Sequence, residues 1–181
     1  MDCYKEENMI SEAYKKRCIK QLEAWGAPLE GWRCVRAYDA CDDEDDSTAL
    51  VTCELCHCPR VRYVHVMRHT DYFEDVEVGC ICAGIMEGDI LAAKKREDEM
   101  KKRVNRRLTF INHPWRYIDR HRKRRTYKGH KLEMYRCDSG VYYVSCDNHG
   151  TSTYKGKKIT DELSAMYAAF NLADPVEQYY E

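Results

Sequence analysis

The sequence predicts an α+β protein: an N-terminal helix, a small cysteine-bearing module built on a hairpin, a long basic helix, and a C-terminal three-stranded sheet backed by a helix. Three observations carry that reading. Two tight cysteine groups, Cys53-Glu-Leu-Cys56 and Cys80-Ile-Cys82, flank a run that alternates with the period of a strand. Residues 89–112 place apolar side chains at helical spacing among many Lys and Arg. Residues 131–154 fall into short strand-like runs broken by Asp-Ser-Gly and Asn-His-Gly, which are turn sequences.

The 181 residues suit two small units, expected at 1–113 (helical region with the cysteine module) and 114–181 (a small basic β-β-β-α domain). With 44% hydrophobic and 34% charged residues the chain has enough apolar side chains for a core, so disorder throughout is excluded. A net charge of -1 conceals an asymmetry, since Asp42, Asp43, Glu44, Asp45 and Asp46 form an acidic block while residues 94–131 are crowded with Lys and Arg. Eleven cysteines in a secreted chain would suggest a disulfide scaffold, but the start, Met-Asp-Cys-Tyr-Lys-Glu-Glu-Asn, is polar and unlike a signal peptide. A reducing, cytoplasmic location is therefore expected, with free thiols at Cys137 and Cys146. No run approaches the roughly 20 apolar residues a membrane helix needs.

Taken in order, residues 4–25 read as a helix, because Ile10, Tyr14, Cys18, Leu22 and Trp25 recur three and four apart and Gly26 and Pro28 stop it. As an amphipathic helix it is expected to be a packing element. Residues 32–38 read as a strand leading into the acidic block, which is expected to be a solvated loop. Val61, Tyr63, His65 and Met67 then alternate with Arg62, Val64, Val66 and Arg68, and after a polar turn Val76 and Val78 return as a second strand ending at Gly79. From Cys82 the pattern becomes helical.

Knuckle, hairpin and a thiol pair at the mouth of a helix is the layout of a treble-clef zinc finger, so Cys53, Cys56, Cys80 and Cys82 are the expected ligands. Thiolates two to four residues apart converge on a tetrahedral ion, and the helix N-terminus favours their charge. Cys-x-Cys is an uncommon spacing for the second pair, and Cys58, His57, His65 or His69 are alternatives to Cys80. Zinc in a structural site is the expected cofactor, with an iron–sulfur cluster as the alternative.

Residues 89–112 form the expected long helix, with Ala93, Met100, Val104, Leu108 and Ile111 on its apolar stripe and Pro114 ending it. Its other faces and the following arm carry the candidate nucleic-acid contacts: Lys101, Lys102, Arg103, Arg106, Arg107, Arg120, Arg122, Lys123, Arg124 and Arg125. Such cation density attracts polyanions because neutralised phosphates release counterions. Trp115, Tyr117, His121 and Tyr127 lie among the cations and are expected to stack on unpaired bases. Beyond the arm, residues 131–137, 141–146 and 151–154 read as strands, and Thr160 as the cap of a helix with Leu163, Met166, Tyr167 and Phe170 inward.

Through Cys53-Glu-Leu-Cys56, Arg62-Tyr-Val-His-Val-Met-Arg-His69 and Val78-Gly-Cys-Ile-Cys-Ala83, residues 30–90 resemble a group of uncharacterised bacterial and phage proteins with a four-cysteine, zinc-finger-like module. The resemblance implies an accessory or mobile-element protein and the ligand set Cys53, Cys56, Cys80 and Cys82. His57-Cys58 departs from it, since a glycine is expected after the second cysteine.

The expected function is that of a non-enzymatic zinc protein that binds nucleic acid through the basic helix and arm. The alternative is a phage or mobile-element adaptor or inhibitor that docks on a host protein. A metal-dependent nuclease is a third reading, with His65 or His69 as base, but residues 83–98 offer it no Asn or His ligand.

Overall fold

The structure is a computed structural model, and residues 10–41 and 49–176 are described; the acidic block lies outside them. The described residues form two compact units that divide between Met100 and Lys101. The division falls inside the long helix rather than at Pro114, because the end of that helix contributes Phe110 to the second core.

In the first unit, α1 (Glu12–Ala24) starts at Ser11, whose hydroxyl accepts the Tyr14 N–H at 3.2 Å. Its apolar stripe buries Cys18 and Leu22. Three strands, β1 (Arg33–Asp39), β2 (Tyr63–Arg68) and β3 (Val76–Val78), form an antiparallel sheet in that order. Its register is anchored by pairs such as Tyr38↔Val64 and His65↔Val78. A two-pronged ion pair from Arg62 to Asp39, at 2.9 and 3.1 Å, ties the end of β1 to the start of β2. The hairpin of β2 and β3 follows the period-two reading, although Val64 to Met67 are buried on both faces. Helix α2 (Cys80–Glu87) packs on β2 and β1 and ends at Gly88, whose φ of +74° suits glycine alone among unstrained choices. Leu22, Trp32, Leu55, Met67, Val78 and Met86 make the core around Cys53 and Cys82.

The long helix α3 (Ile90–Asn112) follows. Its expected apolar stripe is corrected: Ala93 and Phe110 are fully buried, whereas Leu108 is half exposed. In the second unit β4 (Arg116–Tyr117), β5 (Arg122–Tyr127), β6 (His130–Arg136), β7 (Tyr142–Cys146) and β8 (His149–Thr151) form one antiparallel sheet in sequence order. The small hairpin β9 (Thr153–Tyr154) and β10 (Lys157–Lys158) precedes α4 (Glu162–Ala173). Asp161, not Thr160, caps α4, its carboxylate accepting the Ser164 N–H at 2.8 Å.

The sheet thus has five strands where three were expected, because the Arg-Lys-Arg-Arg stretch that reads as an arm is strand β5. A strand made of cations has no visible hydrophobic alternation, yet the alternation exists in burial. Lys123, Arg125 and Tyr127 are half-buried, and Arg122, Arg124 and Thr126 are exposed. On the inner face Leu132, Met134, Val144 and Cys146 pack with Phe110 and Phe170. The Arg125 guanidinium donates to the Phe110 carbonyl and lies 4.2 Å from that ring's centre.

Candidate functional site

The knuckle begins at Cys53, whose carbonyl accepts the His57 N–H at 2.8 Å while its own N–H donates to the Cys58 carbonyl at 2.8 Å. His57 takes φ +62° to close this turn. The loop is pinned to β3 from both sides, the Glu54 N–H donating to the Glu77 carbonyl at 3.0 Å and the Glu77 N–H to the Glu54 carboxylate. The sequence Gly79-Cys-Ile-Cys then opens α2 beside the knuckle. Cys53, Cys56 and Cys82 converge, their sulfurs all within 4.8 Å of one another. Cys53 and Cys82 are buried and Cys56 is half-buried.

Cys80 lies outside that three-thiol group. The physical reason is that α2 already begins at Cys80. Successive residues on a helix are rotated by about 100°, so Cys80 and Cys82 point about 200° apart and do not face one point. The alternatives fare no better: His57 and Cys58 are exposed, and His69 stands against Trp32, with ring centres 5.6 Å apart. His65 is wholly enclosed, with neither ring nitrogen hydrogen-bonded, which also removes it from contact with any substrate.

The three sulfurs form a charge-accepting cluster. Cys53 accepts a hydrogen bond from the Cys82 thiol and others from the backbone at Cys56 and Gly79, which bring its pKa down to about 5 despite burial. Cys82 moves the other way, because its proton is held on the Cys53 thiolate and it is desolvated. One residue was not foreseen as part of this centre: the Tyr14 hydroxyl is 3.1 Å from the Cys82 sulfur, across 68 positions of sequence. Burial and the neighbouring sulfurs of Cys56 and Cys82 push its pKa well up, so it remains a neutral donor. A buried, preassembled set of soft donors with one acidified thiol fits a metal ion that prefers sulfur.

The second unit holds the cationic residues, and many of them are committed to holding the unit together. Arg103 donates to the Asp174 carbonyl at 2.9 Å and to the Asn171 side chain at 2.7 Å. Arg106 forms a two-pronged bond with the Asp174 carboxylate at 2.7 and 3.0 Å, which Lys128 also reaches at 3.0 Å. Arg107 is buried, Lys123 is paired with Glu162, and Arg125 is bound to Phe110. Lys101 and Lys102 are exposed on α3. Of the expected stacking residues, Trp115 and Tyr127 are core partners of Phe110, both edge-on to it. Tyr117 is exposed but has the Lys123 ammonium 4.6 Å from its ring centre.

What remains open is the outer face of the five-stranded sheet. One cross-strand row reads Arg122, Tyr135, Tyr143, and the next Arg116, Arg124, Glu133, Ser145, Gly150. Tyr135 is 41% exposed and Tyr143 46%, so two adjacent rings stand on a strand surface beside guanidinium groups. Tyr143 lies across Gly150, where a Cβ would come within 2.0 Å of its hydroxyl. Arg116 and Arg124 have no ion pair among the described residues, and Arg122 is paired with Asp119 at 2.8 Å. At the edge of this face a groove of about 550 Å³ is lined by Asp119, Arg120, His121, Arg122 and Tyr135. Both tyrosines sit in runs that the sequence marks as strands, but which face they take depends on a register that no local signal shows.

No helix among the described residues is long and apolar enough to cross a membrane. No family model, curated protein or solved structure matches the chain.

Proposed function

We propose that the protein is a zinc-stabilised nucleic-acid-binding protein whose ligand is a single strand laid on the outer face of the second unit's sheet. The observation that carries this is the adjacent pair Tyr135 and Tyr143, exposed beside Arg122 and one row from Arg116 and Arg124. Aromatic rings on a sheet face stack on unpaired bases, and flanking guanidiniums neutralise the phosphates on either side. A duplex keeps its bases stacked inside, so the same rings gain little from it. The expected helix-and-arm surface is thereby moved: Arg120, Arg122 and Arg124 remain in it and Arg116 joins them, whereas Arg103, Arg106, Arg107, Lys123 and Arg125 serve the unit's own packing. Glu133 and Asp119 lie among the cations and keep the face selective for ligands that also stack.

The first unit's thiols suit zinc, because sulfur donors converging from a knuckle and from the start of a helix are the usual makings of a structural zinc site. Knuckle, hairpin and helix then stand as a treble-clef-like module, and the metal's role is to fold that unit.

Fluorescence anisotropy with short single-stranded and duplex oligonucleotides tests the reading. Single strands should bind more tightly than duplex, and Tyr143→Ala or Tyr135→Ala should each weaken binding by about 1 to 3 kcal/mol. Arg124→Glu should reduce the salt dependence, while Lys16→Glu on α1 should change nothing. Equal affinity for duplex, or affinity indifferent to the two tyrosines, would sink the proposal.

A further inference from the structure

The three converged thiols leave a tetrahedral ion one donor short, and the chain supplies a candidate from an element that the sequence marks only as packing. Tyr14 and Cys18 are four residues apart on α1, hence one above the other on the same face. Tyr14 already touches the Cys82 sulfur at 3.1 Å. Cys18 is 1% exposed and belongs to the same buried cluster as Cys53 and Cys82. We infer that Cys18 is the fourth ligand, so that the metal joins α1 to the knuckle and to α2 while the Tyr14 hydroxyl hydrogen-bonds the Cys82 sulfur beside it. The inference rests on the metal-binding reading of the cluster and adds its missing donor.

The Cys18 sulfur stands outside the three that lie within 4.8 Å of one another, so the ion would draw it in from the face of α1 that Tyr14 already holds against Cys82. Arg17, one residue away, and the N-terminal end of α2 would offset part of the thiolates' negative charge. Cys80 is disqualified by the helix geometry already described, and Gly79, the position three residues before Cys82, has no side chain to offer.

The consequence is structural. A knuckle, a hairpin and a helix held by three sulfurs would bind metal without the N-terminal helix, whereas a site completed by Cys18 makes α1 part of the metal-dependent fold. Removing the metal then releases α1 as well as loosening the knuckle.

The test is cobalt(II) reconstitution of the full chain, because each thiolate–cobalt bond adds to the near-ultraviolet charge-transfer absorption and a tetrahedral field gives strong visible bands. The wild type and Cys80→Ser should give the same spectrum. Cys18→Ser should lose about a quarter of the charge-transfer intensity, one bond of four. Cys18→His should recover tetrahedral visible bands, shifted by the exchange of a sulfur for a nitrogen, which guards against Cys18→Ser merely misfolding. A Cys80→Ser spectrum that loses intensity while Cys18→Ser matches the wild type would overturn the inference and leave the metal site standing. A wild-type chain that gives no charge-transfer band at all would instead overturn the metal reading itself, and this inference with it.

Discussion

His65 gives the sharpest energetic prediction. It lies in the middle of β2, fully enclosed, and neither ring nitrogen has a hydrogen-bond partner. Burial and the nearby Arg96 cation lower its pKa to about 4, against the ordinary 6.5. The charged and titratable groups around it are Arg96 and Glu97 on α3, Glu87 on α2, which pairs with Arg96, and Cys34 on β1, whose thiol burial pushes up. A depressed histidine pKa means that the folded state binds fewer protons, so its contribution is intact above the unfolded value and is lost as the pH falls. With one pKa unit equal to about 1.4 kcal/mol, the first unit should lose about 2 kcal/mol by about pH 5 and about 3 kcal/mol by about pH 4 from this group alone. His65→Leu should remove that loss. At neutral pH it should be neutral or stabilising, because two orphaned polar atoms leave the core together.

The assay is urea unfolding over that pH range in a Trp115→Phe background, so that Trp25 and Trp32 report the first unit. Acid also protonates the clustered thiols, but that effect is common to both proteins and cancels in their difference. Wild-type and His65→Leu stabilities that fall in parallel between about pH 6.5 and pH 4 would refute the reasoning.

Three further outcomes follow from packing and charge. Asp174→Ala should destabilise the second unit by about 1 to 3 kcal/mol in thermal unfolding, since Arg106 and Lys128 lose the buried carboxyl that they hold below its usual range against the upward pull of desolvation. Gly84→Ala in α2 should cost about 1 to 3 kcal/mol despite a better helix propensity, because the added Cβ would meet the Ile90 backbone at 2.6 Å. A melting temperature unchanged or raised by that substitution would contradict the packing. Gly150→Ala should leave the melting temperature nearly unchanged yet weaken single-strand binding, because the atom it displaces is the far end of the Tyr143 side chain.

Local chemistry made part of this molecule legible in its sequence. The helical stripe from Tyr14 to Leu22, the period-two run of β2 and the Cys53-Glu-Leu-Cys56 knuckle are written in short spacings, and each reappears as structure. Cys82 joins the cluster, but Cys80 misled because a Cys-x-Cys pair looks convergent until the start of α2 is known to fall on Cys80 itself. The role proposed for Cys18 is hidden in the sequence for the opposite reason. Its place in an apolar stripe explains it completely, and only the contact of Tyr14 with Cys82 shows that this stripe faces sulfur. An i, i+4 Tyr-Cys pair on a helix, with more thiols than the knuckle needs, is the signal that would have pointed there. The basic segment failed through counting: Arg103 and Arg106 on α3 are answered by Asp174 some seventy residues on, a pairing that no charge run reveals. The open face carrying Tyr135 and Tyr143 came from strand register, which a cationic β5 conceals.

The central claim is that the thiol cluster is a zinc site on which the first unit's fold depends. Native mass spectrometry of the purified chain, with metal analysis before and after exposure to a strong chelator, tests it most directly. The account predicts one zinc per chain, its loss in Cys56→Ser, and a fall in the first unit's thermal stability when chelation removes it, with Tyr117, Tyr135 and Tyr143 in the second unit unaffected by hydrogen exchange. A chain that purifies without metal, takes up none when zinc is supplied, and melts identically with and without chelator would contradict it.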